Sequence, residues 1–420
     1  MTSPSEIPIK VAVIGVGTRG THLAQQLTEC EVPAQIVAVA EPNVERREAF
    51  ARAYTLPERA CFPSWQALCE NTIPCDAVII ATLDNQHTEP ALAALSRGWH
   101  ILLEKPMADT FEGCLAIDRA QREAGMVVAV CHSLRYMPGF RRVKAIVQTG
   151  VLGEVIHIEH MEAIGHLRFT HNYVRGKWAR EANNTFLLLH KCCHDLDFIQ
   201  WLIPEHCERV TSFGSLSYFI PSHAPAGSGT RCINDCAIQS DCPYSAVRLY
   251  VESDLAAWPA RDICTTHTRE AHLAAITHGP FGACVWRAGN DVVDHQAVTM
   301  EFANGATATC TLSGYSATNG RRTRVQGTHG ELLYDEASGE ITVGLFAKSQ
   351  SEILKIPHPT TYHPEDKEIV GNWLAAIRHT QDKSEIVNPQ QALKSHTIVF
   401  AAERSRKEKR EVETMEFYRR

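Results

Sequence analysis

The 420-residue chain has no run approaching the roughly 18 apolar residues a membrane helix needs, so no membrane span is expected. Its first ten residues, with Pro4 and Pro8 and no apolar core, do not resemble a secretory leader. Excess positive charge is missing too. Against 48 Asp and Glu stand 41 Lys and Arg, a net charge of -7. That argues against nucleic acid as a partner, because phosphate binding needs clustered cations. The basic run from Arg404 to Arg410 is interrupted by Glu408 and reads as a solvated helix face. There is no internal repeat and no low-complexity tract. Cysteine is not scarce: fifteen are present. Without a leader they are expected to be mostly free thiols in a reducing, cytoplasmic compartment. Cys30, Cys69 and Cys114 sit in apolar helical patterns and read as small core residues. The length predicts two domains, and the 44% hydrophobic content is that of a globular protein.

Near the start of the chain, Val11-Ala12-Val13-Ile14 runs into Gly15-Val16-Gly17-Thr18-Arg19-Gly20, a strand followed by GxGxxG. Gly15 permits a tight turn, Gly17 lets the backbone approach a pyrophosphate, and Gly20 allows close packing of helix on strand. The helix N-terminus then offers free N–H groups to phosphate oxygens. Leu23, Ala24 and Leu27 continue at helical spacing. A second strand, Ala34–Ala40, ends at Glu41, 21 residues past Gly20. There a dinucleotide fold places the acid that accepts from the adenosine ribose. An acid repels a 2′-phosphate, so NAD is expected over NADP, unless Arg46 and Arg47 turn inward to serve that phosphate.

Strands and helices alternate to about residue 131. Strands are expected over residues 76–82, 100–104 and 127–131. Helices are expected over 87–98, closed by Gly98, and over 109–125, capped by Asp109 or Thr110. This is the pattern of a doubly wound parallel sheet, a Rossmann-type α/β domain over residues 1–131. Residues 132–420 differ. Val155–Glu162, Val298–Phe302, Ala306–Thr311 and Arg322–Gln326 alternate apolar and polar, and Asn304-Gly305 is a hairpin signal. A second α+β domain with a large, mostly antiparallel open sheet is expected. It carries a Cys-rich insertion at about 220–295 and helices at about 365–380 and 389–405.

Glu104-Lys105-Pro106 follows the strand at 100–104. With the glycine fingerprint, Ala81-Thr82-Leu83-Asp84-Asn85-Gln86-His87, Leu152-Gly153-Glu154-Val155 and His194-Asp195-Leu196-Asp197, it resembles the Gfo/Idh/MocA family. The resemblance implies an NAD-dependent oxidoreductase acting on a secondary hydroxyl of a sugar, sugar acid or cyclitol, as a homodimer or homotetramer. It implies cofactor contacts from Gly15, Gly17, Thr18, Arg19, Gly20, Glu41, Thr82, Asn85, His87, Glu104 and Lys105. Lys105 would touch substrate or nicotinamide ribose and aid proton transfer; Glu104 would orient the loop. Some relatives use NAD transiently for elimination and glycosidic cleavage, which leaves a cofactor-recycling glycosidase as the alternative. A non-catalytic NAD sensor is a third.

Hydride transfer from an alcohol carbon needs a base for the hydroxyl proton. Within a helical 187–197 segment, His190, His194 and Asp197 share one face at i, i+4 and i+7. The resemblance favours His194 as the base, with Asp197 holding its ring. It also places an acid four residues earlier, where this chain has His190, followed by Lys191. Both are candidates for proton handling, and the two histidines at i, i+4 could instead take a divalent metal, like one half of a zincin site. His166–Trp178 is dense in donors and aromatics, as recognition of a hydroxylated ring requires. From it Arg175, Trp178 and His171 are the expected substrate contacts, with Lys191, His194 and Asp195.

Cys232, Cys236 and Cys242, at x3 and x5 spacing in a loop-rich stretch, suggest a structural zinc knot without forming a standard CxxC pair, with a disulfide or iron–sulfur cluster as a further alternative. Cys284 is the expected fourth ligand, with Cys264 and His223 as alternatives; buried free thiols are the competing expectation.

Overall fold

A computed structural model describes residues 7–357, 363–379 and 385–419. Six parallel strands form the first sheet: β1 (Ile9–Ile14), β2 (Ala34–Ala40), β3 (Cys61–Phe62), β4 (Ala77–Ile80), β5 (His100–Leu103) and β6 (Val128–Val130), in the order β3-β2-β1-β4-β5-β6. Their Val, Ile, Leu and Ala side chains are buried on both faces, as strands between two helical layers must be. The order reverses between β1 and β4, which opens a crevice at the carboxyl ends of the strands. Local signals hold well here. Thr110 caps the helix Phe111–Ala124 by accepting from the Gly113 N–H, and Gly125 ends it in the left-handed region. The short edge strand β3 lacks a sequence signal.

Nine strands form the second sheet: β7 (Val155–Ala163), β8 (Cys207–Ser215), β9 (His295–Phe302), β10 (Thr307–Ser313), β11 (Gly320–Gly327), β12 (Gly330–Asp335), β13 (Glu340–Leu345), β14 (Glu352–Lys355) and β15 (Val412–Glu413). They lie in the order β14-β13-β12-β11-β7-β10-β9-β8-β15. All pairs are antiparallel except β7 with β10. The hairpin between β9 and β10 turns at Gly305, whose φ is +82°. One face of the sheet is covered by the helices Leu187–Leu202 and Pro389–Glu408. Ile156, Phe213, Leu333 and Ile353 are exposed on its strands.

The helix Glu365–Ile377 returns to the first sheet, where Ile369, Val370, Trp373 and Leu374 join a core with Val11, Val13, Leu23 and Leu27. Position 380, the far end expected for this helix, lies outside the described residues, as do residues 1–6. The insertion is less irregular than its composition implies: helices Ala246–Tyr250 and Arg269–His278 enclose a small core of Cys232, Ala246, Tyr250, Val251 and Ile276. Among the described residues, no helix is long and apolar enough to cross a membrane.

Candidate active site

Each glycine of the β1 turn has a distinct geometric reason. Gly15 has φ +84°, and a Cβ there would lie 2.7 Å from the Ala81 carbonyl oxygen. At Gly20 a Cβ would lie 1.9 Å from the Gly15 oxygen, so helix and turn touch backbone to backbone. At Gly17 a Cβ would meet nothing within 4 Å, which leaves the backbone open to an approaching ligand. Helix Thr18–Gln26 starts here with no acid in its first turn, so its leading N–H groups present a partial positive charge that no first-turn carboxylate offsets. Beside it runs a groove of about 540 Å³ lined by Val16, Gly17, Thr18, Thr21, His22, Gln25, Arg46 and Arg261. This loop fits the phosphates of a dinucleotide. Glu41 is buried at the end of β2, accepting from the N–H groups of Val16 and Asn43, both at 3.0 Å. Arg47 turns onto the backbone, donating to the Glu41 carbonyl at 2.5 Å, and Arg46 lines the groove.

Two expected cofactor contacts are corrected. The Arg19 guanidinium points away from the groove, donating to Glu104 at 2.8 Å and to both oxygens of Asp366 at 2.5 and 3.0 Å. It ties the glycine-loop helix to β5 and to the helix Glu365–Ile377, so position 19 offers the groove only its backbone. His87 is 1% exposed, and its Nδ1 lies 2.6 Å from the Pro106 carbonyl oxygen, so it props the lysine loop from beneath. Thr82 Oγ1 donates to the Gln86 carbonyl oxygen at 3.0 Å; Asn85 is exposed. Glu104 accepts from Arg19 and from the Lys105 N–H at 3.0 Å.

Lys105 leaves the carboxyl end of β5 and donates from Nζ to the His190 carbonyl oxygen at 2.8 Å. This contact joins the parallel sheet to the helix Leu187–Leu202. Two faces of that helix then separate. His190 faces the loop after β4, with Nδ1 2.6 Å from Asp84 Oδ2. The Asp84 N–H donates to Asn184 Oδ1 at 3.1 Å. The Trp178 ring lies 4.5 Å from the His190 ring, and Lys177 Nζ sits 4.3 Å over Trp178. Burial lowers the His190 pKa to about 4, opposed by Asp84. Burial tends to raise the Asp84 carboxyl, but His190 and Lys105 outweigh it and hold the group well below the usual range. Lys177 is lowered, first by burial.

One turn on, His194 is half-buried and meets His132 edge-on at 5.7 Å. Its Nδ1 is enclosed without a partner among the described residues. Burial, then Lys105, His132 and Arg321, hold its pKa well below the ordinary histidine value. Asp197 does not hold the His194 ring. It receives the Arg135 fork at 2.7 and 2.9 Å and the Ser395 hydroxyl at 3.1 Å. The other face turns to the second sheet. Asp195, 0% exposed, is bonded to His160 Nε2 at 2.9 Å and Arg321 Nε at 2.6 Å, and Lys191 Nζ pairs with Glu162 at 2.9 Å. Asp195 and Lys191 therefore tie the helix to the second sheet. Spaced i, i+4, they share a face about 100° round from His190 and His194.

Residues 170–175 wind as a π-helical turn that aims at the insertion. His171 is buried against Phe281 at 4.9 Å and bonded to the Tyr250 hydroxyl at 3.0 Å. Arg175 is buried, donating to the carbonyl oxygens of Ala283 and Tyr244, both at 2.8 Å, and to Cys232 Sγ at 3.5 Å. Both expected substrate residues are thus anchors of the insertion; Trp178 alone of the three stays in the site. Cys232, Cys236, Cys242 and Cys284 do line one cavity, of about 10 Å³, without His223 or Cys264. They form no metal-ligating group: among the described residues no three His, Cys, Asp or Glu side chains do, His190 and His194 included. The buried Arg175 guanidinium already brings positive charge to that wall.

Sequence reasoning missed Asp84, Lys177 and Arg261. Asp84 stands inside a motif singled out for its neighbours, and Lys177 adjoins Trp178. Arg261 has no local signal, because the insertion's fold brings it to the groove.

Residues 9–132 match the description "Oxidoreductase family, NAD-binding Rossmann fold", and residues 144–414 match "Oxidoreductase family, C-terminal alpha/beta domain". The chain is similar to 2,7-anhydro-N-acetylneuraminate hydratase of Escherichia coli (strain K12), 30% identical over 208 residues, 49% of this chain and 52% of that protein. It is also similar to inositol 2-dehydrogenase/D-chiro-inositol 3-dehydrogenase of Lacticaseibacillus casei, 28% identical over 203 residues, 48% of this chain and 55% of that one. The chain spans about half the length of these curated relatives. In fold it resembles levoglucosan dehydrogenase solved with NADH and L-sorbose, with TM-score 0.70 and 17% identity over 97% of this chain and 99% of that chain. With both halves matched in order, the chain belongs to the Gfo/Idh/MocA oxidoreductase family.

Proposed function

We propose that this protein is an NAD(H)-dependent oxidoreductase that moves hydride between nicotinamide and a secondary hydroxyl or ketone of a sugar, sugar acid or cyclitol. The observation that carries this is Lys105, whose Nζ reaches from the end of β5 to the His190 carbonyl, on the helix face that also carries His194. An ammonium and imidazoles converge where an open α/β sheet binds its ligand. A bound nicotinamide dinucleotide would supply the hydride acceptor, held by the glycine loop and groove. The chain's own groups handle the proton: Lys105 stabilises a developing alkoxide, and an imidazole of the Leu187–Leu202 helix takes the hydroxyl proton. NAD is favoured over NADP because Glu41, buried at the end of β2, keeps acceptor capacity for ribose hydroxyls beyond its two backbone bonds. Trp178 offers a flat apolar face beside the imidazole, suited to a hydroxylated ring. The exposed Ile156, Phe213, Leu333 and Ile353 supply an apolar surface for a homodimer or homotetramer, in a cytoplasmic setting. The test is NADH formation across a panel of sugars, sugar acids and cyclitols. Turnover with one class is expected, and no NADH formation or consumption with any would contradict the assignment.

A second reading, glycosidic cleavage or elimination with recycled NAD, is favoured by the two separate imidazoles on one helix face. Dehydrogenation needs one base, whereas elimination next to a new carbonyl needs another for the carbon-bound proton. Aglycone release without NADH accumulation would select it.

A further inference from the structure

We propose that Asp84 and His190 form the proton-accepting dyad of this site: His190 Nε2 takes the substrate hydroxyl proton, and Asp84 is the positioning residue behind it. This rests on the hydride-transfer reading above, and it assigns the base to His190 rather than to His194.

A carboxylate can only accept, so the 2.6 Å contact to Asp84 places the hydrogen of the neutral ring on Nδ1 and leaves the Nε2 lone pair free. Nε2 has no hydrogen bond among the described residues and is not among the enclosed, unpartnered atoms, so it is the nitrogen a ligand can reach. The pair is fixed from several sides. Asp84 is 6% exposed and its N–H is held by Asn184, while Trp178 at 4.5 Å and Tyr173 at 5.8 Å pack against the imidazole.

His194 lacks these supports. Its Nδ1 is enclosed without a partner among the described residues, and its neighbours Lys105, His132 and Arg321 oppose a positive ring. The acid that acts on it, Asp195, is already bonded to His160 and Arg321. A base becomes a cation when it works. At His190 the new charge meets a buried carboxylate; at His194 it meets other cations.

The step balances with an oxidised nicotinamide dinucleotide as the acceptor. The substrate O–H bond breaks and its proton goes to Nε2. The carbinol C–H electron pair leaves as hydride to nicotinamide, and the C=O bond forms. Reduction runs the same transfers backwards. The charged groups around His190 are Asp84 from the loop after β4, Lys105 from the loop after β5, Lys177 over Trp178, and Lys191, which acts from the adjoining face of the same helix. Burial lowers the affinity of the ring for a proton, Asp84 raises it, and Lys105 and Lys191 lower it further. The acid limb of the pH profile should therefore lie near the His190 pKa of about 4. Asp84→Asn should move it to lower pH while lowering the plateau.

The experiment uses the full chain and the variants Asp84→Asn, Asp84→Glu, His190→Gln and His194→Gln. Nitrogen-15 NMR of histidine in the free protein needs no substrate. The expected result is an Nδ1-protonated His190 in the wild type, with tautomer preference and titration both shifted in Asp84→Asn. An Nε2-protonated ring, or one indifferent to Asp84→Asn, would overturn the dyad. With a substrate in hand, His190→Gln should lower kcat at least about 100-fold, and Asp84→Asn about 10- to 100-fold. KM and NADH affinity should stay within about threefold, and Asp84→Glu should recover part of the loss. Wild-type kcat and pH profile in Asp84→Asn, or a larger loss from His194→Gln than from His190→Gln, would also overturn it. If the wild type forms no NADH with any substrate, hydride transfer fails, and the NMR result still decides the dyad.

Discussion

His190 and Lys191 are neighbours on one helix, yet they serve different halves of the molecule. His190 looks across to the parallel sheet, through Asp84 and the Lys105 ammonium. Lys191, with Asp195 four residues on, looks to the antiparallel sheet through Glu162, His160 and Arg321. On the sheet side, charges of opposite sign pair, and the carboxylate oxygens left without a hydrogen bond among the described residues, Glu162 Oε2 and Asp195 Oδ2, are enclosed. On the cleft side, His190 Nε2 is left without a partner among the described residues. A charged residue on a buried helix is thus a binding candidate only where its partners leave a hydrogen-bonding site open. The sheet-side network makes the helix rigid enough to aim the cleft-side groups.

The largest expected break of this contrast is Lys105→Ala. It should cut kcat by about 100-fold or more while leaving the melting temperature within a few degrees, as steady-state kinetics and calorimetry would show. Asp195→Asn should do the reverse. Removing one partner of a buried ionic cluster costs about 3–5 kcal/mol, readable by urea unfolding, with kcat of the remaining folded protein changed far less. The native Asp195 carboxyl is held below the usual range: burial works to raise it, but Arg321 and His160 outweigh burial. Its contribution to stability is therefore complete above the unfolded pKa of about 4 and is lost as pH falls below that value. Unfolding midpoints from pH 6 to 3 should show that loss in the wild type and a flatter profile in Asp195→Asn. Gly17→Ala sharpens the comparison at the loop. A Cβ there meets no protein atom, so folding should be unaffected while NADH affinity falls about tenfold by fluorescence titration. Smallest is Arg261→Ala, expected to weaken NADH binding about two- to fivefold, with the loss shrinking as salt rises.

Much of the cofactor half was legible because its constraints are local. Three glycines within six residues carry the turn, the open approach and the helix contact, and Glu41 closes β2 where the second strand was expected to end. The register of His190 with His194 was legible from helical spacing. The Asp84–His190 contact was not, because it spans 106 positions. His171 and Arg175 misled for a related reason. Donors and aromatics in a loop look like a binding surface until their partners are known, and Tyr250, Phe281 and Ala283 stand far along the chain. The four cysteines line one wall, but a small shared cavity is not a ligand set.

Following the hydride itself tests the central claim most directly. The protein is incubated with NAD and carbinol-deuterated sugars, sugar acids and cyclitols, and the nicotinamide is weighed by mass spectrometry. One substrate class should pass its deuterium to nicotinamide, and Lys105→Ala should suppress the transfer. Nicotinamide that stays unlabelled with every class in the wild type would contradict hydride transfer at this site.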